Sequence, residues 1–243
     1  MLNKIKNKVK QNDQRFEDLH QLQEDQLALT QLYKMFPEAM FLPLTTWVVS
    51  PREIVHACNE IVINNRKTIV EFGSGFSTIC IAQLLKLYQR QATFITVEEN
   101  SGWADELARI LDRLGLKSYV TIVTAPVADI KLPIAKSGQT KWYDTDVLSK
   151  VFEDISEIDM IIVDGPTGAV SKHARYSAIP FLKDKISKDF VVFADDTFRD
   201  EEKDTAREWK NLLNANWRAF KRYTYLHSGS ATDTEPYGVK FKK

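Results

Sequence analysis

At 243 residues the chain suits one α/β domain with an appendage, and 44% hydrophobic with 27% charged residues is a globular rather than a disordered balance. Lys plus Arg and Asp plus Glu both number 33, so no basic excess speaks for a nucleic-acid partner. Only two cysteines occur, no apolar run approaches the ~20 residues of a membrane span, and the N-terminal lysines precede no apolar leader. The expectation is therefore a soluble, cytoplasmic protein.

Residues 1–45 read as a helical extension, and 46–243 as the main domain. Residues 1–35 are polar, helix-favouring and free of Gly and Pro. Leu2, Ile5, Val9, Asn12, Phe16 and Leu19 recur at spacings of three and four, a short heptad-like stripe. That stripe suits a helix packed on its own domain, or alternatively a coiled coil that makes a homodimer. Ser50-Pro51 then opens a helix to about residue 64, in the N-cap and N1 manner.

From there strands and helices alternate. The runs 68–72 (TIVEF), 93–97 (TFITV), 119–123 (YVTIV), 158–163 (IDMIIV) and 190–194 (FVVFA) predict five buried strands. Helices are predicted after Gly75 and over about 103–114, 147–155, 177–186 and 201–214, and residues 124–145 as irregular chain. Segments 218–226 and 237–241 could close the sheet as an antiparallel pair. The pattern predicts a Rossmann-like α/β fold: a mostly parallel seven-stranded sheet with helices on both faces. Right-handed crossovers put all the strand C-termini on one edge, where ligands bind.

That edge collects the polar and glycine positions. Glu71-Phe72-Gly73-Ser74-Gly75-Phe76-Ser77-Thr78 joins a strand to a helix, and its glycines allow a tight turn and close backbone approach. A dinucleotide loop would read G-x-G-x-x-G, but Thr78 stands three past Gly75 and an acid precedes Gly73. The second strand ends at Glu98, a carboxylate placed to accept both hydroxyls of a ribose, with Glu99 as the fallback.

E-x-G-x-G closing the first strand resembles the first motif of class I S-adenosylmethionine-dependent methyltransferases. The resemblance implies a cofactor site made by Glu71, Gly73, Ser74, Gly75 and Ser77, with Glu71 facing the cationic methionine end. It also implies adenine contacts from Ala125 and Pro126 at the third strand's end.

Asp164 ends the fourth strand and Asp195-Asp196 the fifth. Parallel neighbours lie about 4.8 Å apart, so the three carboxylates can converge, and clustered acids invite Mg²⁺ or another divalent cation. Such an ion could orient an acceptor hydroxyl and lower its pKa. The arrangement resembles the cation-dependent O-methyltransferases of the catechol and caffeoyl-CoA type over about residues 68–198. Those enzymes carry a lysine three residues after the fourth-strand Asp, where Thr167 stands here. Lys172 and His173 are the substitute bases, beside Asp164 as a catalytic residue. The tokens Trp142-Tyr143-Asp144, Val163-Asp164-Gly165-Pro166, Ala174-Arg175-Tyr176 and Asp195-Asp196-Thr197 are also similar to a broad bacterial group of class I methyltransferases.

Arg175 could hold an acidic substrate group or pair at a helix start. Trp142 and Tyr143 could wall a substrate pocket or pack in the core. The expected activity is transfer of a methyl from S-adenosylmethionine to a small-molecule or sugar hydroxyl, with a divalent cation at Asp164, Asp195 and Asp196. Metal-independent O- or N-methylation, a NAD-linked oxidoreductase and a catalytically silent cofactor-binding module are the alternatives.

Overall fold

The computed structural model describes residues 2–37, 40–229 and 232–238. Helix α1 (Leu2–Tyr33) leads to α2 (Pro51–Ile63), which the Ser50 hydroxyl caps by accepting from the Glu53 N–H at 3.2 Å. The alternating part follows as β1 (Thr68–Phe72), α3 (Phe76–Leu87), β2 (Thr93–Glu98), α4 (Ser101–Arg113) and β3 (Thr121–Thr124). A small hairpin, β4 (Val127–Asp129) and β5 (Lys141–Tyr143), precedes α5 (Thr145–Phe152) and β6 (Ile158–Val163). The chain continues as α6 (Ala178–Leu182), β7 (Ile186–Ala194), α7 (Asp200–Leu213), β8 (Asn216–Ala219) and β9 (Thr224–His227).

The seven-stranded sheet runs β3-β2-β1-β6-β7-β9-β8, parallel as far as β7, with β9 antiparallel to both of its neighbours. The order in which strands are added reverses between β1 and β6, the switch point where α/β sheets bind ligands. Period-two alternation divides the sheet into two buried faces. Ile69, Phe94, Met160, Ile162, Val191 and Phe193 pack against α2 and α3. Val70, Phe72, Val97, Ile161, Val163 and Val192 face the other way, toward Trp142, Tyr143, Phe152 and Trp209. Each such apolar side chain, fully buried, stabilises by roughly 1.5–3 kcal/mol.

Several boundaries differ from expectation. Residues 124–145 hold the β4–β5 hairpin, and a 3-10 turn over Lys117–Tyr119 delays β3 by two residues. The helix predicted over 177–186 is five residues long, and β7 begins at Ile186 because its first part pairs with the start of β6. The closing strands are β8 and β9, joined by a tight turn in which the Phe220 N–H donates to the Tyr223 carbonyl at 2.8 Å. The strand predicted over 237–241 does not join them: Tyr237 and Gly238 are irregular, and 239–241 lie outside the described residues.

Helix α1 is 32 residues long, and its Ala28 and Leu32 join the core beside α2. Val9, Phe16 and Leu19 of the predicted stripe are exposed, as is Leu22 beyond it. Both cysteines are buried and free. Among the described residues no helix is long and apolar enough to cross a membrane.

Candidate functional site

The site lies at the C-terminal ends of β1, β2, β6 and β7. At Gly73 the chain takes φ +91°, and its N–H donates to the Val97 carbonyl at 2.9 Å. A Cβ there would sit 2.8 Å from the Gly165 nitrogen, so both the backbone angle and the neighbour demand glycine. The Gly75 N–H donates to Thr78 Oγ1 at 2.9 Å, and Thr78 donates to Glu71 Oε2 at 2.5 Å. Thr96 donates to the same oxygen at 2.7 Å.

Glu71 therefore braces the turn from beneath. Alternation puts it on the Ile69 face, under α3, so it is fully buried and absent from the cavity wall. That corrects the expectation that it faces a ligand. Its Oε1 has no donor, and burial pushes the carboxyl up to about 7. Ser74 donates from both N (3.2 Å) and Oγ (2.7 Å) to Glu98 Oε2, and Asn100 N to Oε1 at 2.9 Å. Trp103 ties α4 to the loop through an Nε1 bond to the Ser74 carbonyl at 3.0 Å.

These groups border a cavity of about 450 Å³ with Gly73, Ser74, Gly75, Ser77, Glu98 and Asp164 in its wall. Among the described residues its charged lining is Glu98, Glu99 and Asp164, without a Lys, Arg or His. Trp47 and Val48, from the chain before α2, close one side. Glu99 is held in turn by the Tyr143 hydroxyl at 3.2 Å and the Thr167 N–H at 3.3 Å.

Asp164, Asp195 and Asp196 do converge, each offering an oxygen within 4.8 Å of the others. Arginines hold them together. Arg175 Nη2 donates to Asp164 Oδ1 at 2.9 Å and to Asp196 Oδ2 at 3.1 Å, while Nη1 reaches the Asp195 carbonyl at 3.1 Å. Arg199 pairs with Asp196 at 3.0 Å, and Arg222 with both Asp195 and Asp196. Arg175 already takes one oxygen each of Asp164 and Asp196, and with Arg199 and Arg222 it offsets the charge that would otherwise call for a cation. The predicted metal site is a carboxylate–arginine cluster.

The other side chains singled out by sequence fall elsewhere. Arg175 is buried and consumed by this cluster, so it is not a substrate contact. Trp142 and Tyr143 lie on the opposite sheet face around Phe72 and are core residues. Ala125 is buried on that same face and Pro126 is exposed beyond it; neither lines the cavity. Lys172 is exposed near Gly138, and His173, held through its N–H by Glu201, is buried; neither lines the cavity. Neither stands where a base is needed.

Residues 70–197, just over half of the chain, match a family model described as a methyltransferase domain. The chain belongs to the class I methyltransferases. The fold is shared with an O-methyltransferase from Bacillus cereus in complex with SAH (16% identity, 84% of this chain and 89% of that one, TM-score 0.54). It is shared equally with an O-methyltransferase of tomaymycin synthesis from Streptomyces achromogenes, in complex with SAM (16%, 83% and 90%, 0.54). A precorrin-6y C5,15-methyltransferase from Geobacter metallireducens is also similar (12%, 78% and 94%, 0.51). No curated protein matches this chain.

In this methyltransferase two features escaped the sequence reading, whereas Trp47, which the sequence left open between a pocket wall and core packing, lines the cavity. Trp103 bonds to the loop because α4 starts at Ser101, close behind Glu98. Glu53, at the start of α2, is fully buried beside Asp195, and neither of its oxygens has a donor. Burial first, then Asp195, keeps that carboxyl well above the usual range. A Ser-Pro helix start with an acid at its third position was the available signal, and it reads as ordinary capping.

Proposed function

We propose that this methyltransferase binds S-adenosylmethionine in the cavity at Gly73–Gly75 and methylates a hydroxyl oxygen of a small molecule or sugar, without a bound metal. The observation that carries the cofactor is the sign of the wall. Glu98, Glu99 and Asp164 favour a ligand bearing a sulfonium and an ammonium, and disfavour the pyrophosphate of NAD. Glu98 accepts three protein donors, and a carboxylate has about four lone-pair sites, so one of its oxygens can still take a ribose hydroxyl. Gly73 and Gly75 leave the turn without Cβ atoms at the point of closest approach.

When bound, the cofactor supplies a methyl on a positively charged sulfur. An acceptor oxygen would take that methyl as the carbon–sulfur bond broke, and its hydroxyl proton would have to pass to a protein group or to water. The protein's part is chiefly positioning and exclusion of water. Arg175 fixes Asp164 and Asp196 beside the cavity, and the carboxylate of the neighbouring Asp195 would receive the proton in place of Lys172 or His173. Burial and the neighbouring Asp196 raise Asp195 above the usual carboxylate range. The O-methyltransferases of the same fold support oxygen as the acceptor atom.

Thermal unfolding with S-adenosylhomocysteine and with NAD tests the cofactor. A rise in midpoint with the former alone is expected; a rise with NAD alone would overturn the reading. The exposed Phe16, Leu19 and Leu22 support a second copy of the chain as the partner of α1.

A further inference from the structure

A second cavity adjoins the first. It measures about 460 Å³ and is lined by Thr46, Trp47, Asp195, Asp196 and Phe198 together with three cations, Arg199, Lys221 and Arg222. Trp47 belongs to both cavities, and the Asp164 oxygen in the first lies within 4.8 Å of those of Asp195 and Asp196 in the second. The two spaces therefore adjoin at Trp47 and the aspartate cluster.

The second cavity is graded in charge. Its acids, Asp195 and Asp196, are buried on the floor, held by Arg175, Arg199 and Arg222. The side chains of Arg199, Lys221 and Arg222 remain 49, 37 and 33% exposed, so cations form the mouth. Lys221 also pairs with Asp18 of α1. Two large aromatics flank the space, Trp47 at 76% and Phe198 at 58% exposure, and the Arg199 guanidinium lies over the Phe198 ring at 5.3 Å. Aromatic faces this open favour a ring-shaped ligand, and half-exposed guanidiniums suit carboxylate or phosphate oxygens.

We infer that this cavity is the acceptor site and takes a hydroxyl-bearing ring that carries a carboxylate or a phosphate. The ring lies against Trp47 and Phe198, the anion sits among Arg199, Lys221 and Arg222, and the hydroxyl points to the junction with the cofactor cavity. The assignment rests on the proposed cofactor site. Arg199, Lys221 and Arg222 each have a carboxylate partner already, so the anion would bind to the exposed part of each side chain.

The test is binding, measured by calorimetry on the full chain with and without S-adenosylhomocysteine. The probes are 4-hydroxybenzoate against 4-hydroxybenzyl alcohol, and glucose 6-phosphate against glucose. At least one acidic probe should bind tenfold or more tightly than its neutral counterpart, weaken as salt is raised, and quench tryptophan emission less in Trp47→Phe. The pair that shows the preference separates an aromatic carboxylate from a sugar phosphate. Arg199→Gln with Lys221→Gln should erase the preference tenfold or more and leave S-adenosylhomocysteine affinity unchanged. Equal affinity for acidic and neutral probes, no binding of either acidic probe, or a preference that survives the double variant would overturn the inference. Failure of S-adenosylhomocysteine itself to bind would instead refute the cofactor site.

Discussion

Replacing Glu71 by Gln should flatten the pH dependence of stability. The carboxyl is fully buried, accepts from Thr78 and Thr96 through one oxygen, and leaves the other without a donor. Burial pushes it from 4.5 up to about 7. A group whose pKa is raised by folding stabilises most below its unfolded value and loses that contribution as pH rises through the folded one. From pH 5 to about 7 the native carboxyl should hold a proton that the unfolded chain has released, and by pH 8 it should have given it up too. Linkage converts this into about 2–3 kcal/mol of stability lost over that interval. Urea unfolding of wild type and Glu71→Gln at several pH values isolates the effect, because other titrating groups cancel in the difference. The variant should gain on wild type by that amount as pH rises. A constant difference between the two proteins would refute the buried, protonated Glu71.

Gly73→Ala should cost about 1–3 kcal/mol in strain, from the positive φ and the contact with Gly165, and weaken S-adenosylhomocysteine binding by more than tenfold; wild-type affinity would contradict the tight turn. Arg175→Ala should cost about 3–5 kcal/mol in urea unfolding, because it strips a buried counter-charge from Asp164 and Asp196. Arg175→Lys should not restore it, since a single ammonium cannot reproduce the fork; a loss below ~1 kcal/mol in the alanine variant would mean the cluster is not arginine-balanced. Millimolar magnesium should leave the thermal midpoint unchanged, and a rise that Asp195→Asn removes would restore the metal. Phe16→Glu with Leu19→Glu should turn a dimer into a monomer in light scattering, and a monomeric wild type would remove the helix partner.

The parallel sheet was readable because its strands are short, β-branched and apolar, as only doubly covered strands are. Glu98 was readable because it ends such a run, and the aspartates because they end adjacent strands. Reading failed where the face of a strand mattered. Glu98 ends β2, but Glu71 stands one residue short of the end of β1 and two residues deeper in the register, under α3, while Glu98 reaches the opening. Trp142 and Tyr143 belong to a three-residue strand too short to show alternation, and they pack on the far face. Arg175 could not be placed because the chain between β6 and α6 is irregular, so its target depends on tertiary contacts. The turn at Phe220–Tyr223 carries no Gly, Pro or Asn-Gly signal, which is why the β8–β9 hairpin was read as one strand.

The central claim is that the acidic cavity at Gly73–Gly75 holds S-adenosylmethionine through Glu98. Calorimetric titration of S-adenosylhomocysteine into wild type and Glu98→Ala tests it most directly, with thermal unfolding as the check on folding. One hydrogen bond to a charged group contributes about 1.5–3 kcal/mol, so a folded Glu98→Ala protein should bind at least tenfold more weakly. Unchanged affinity in that variant, or a wild type that binds NAD and not S-adenosylhomocysteine, would contradict the account.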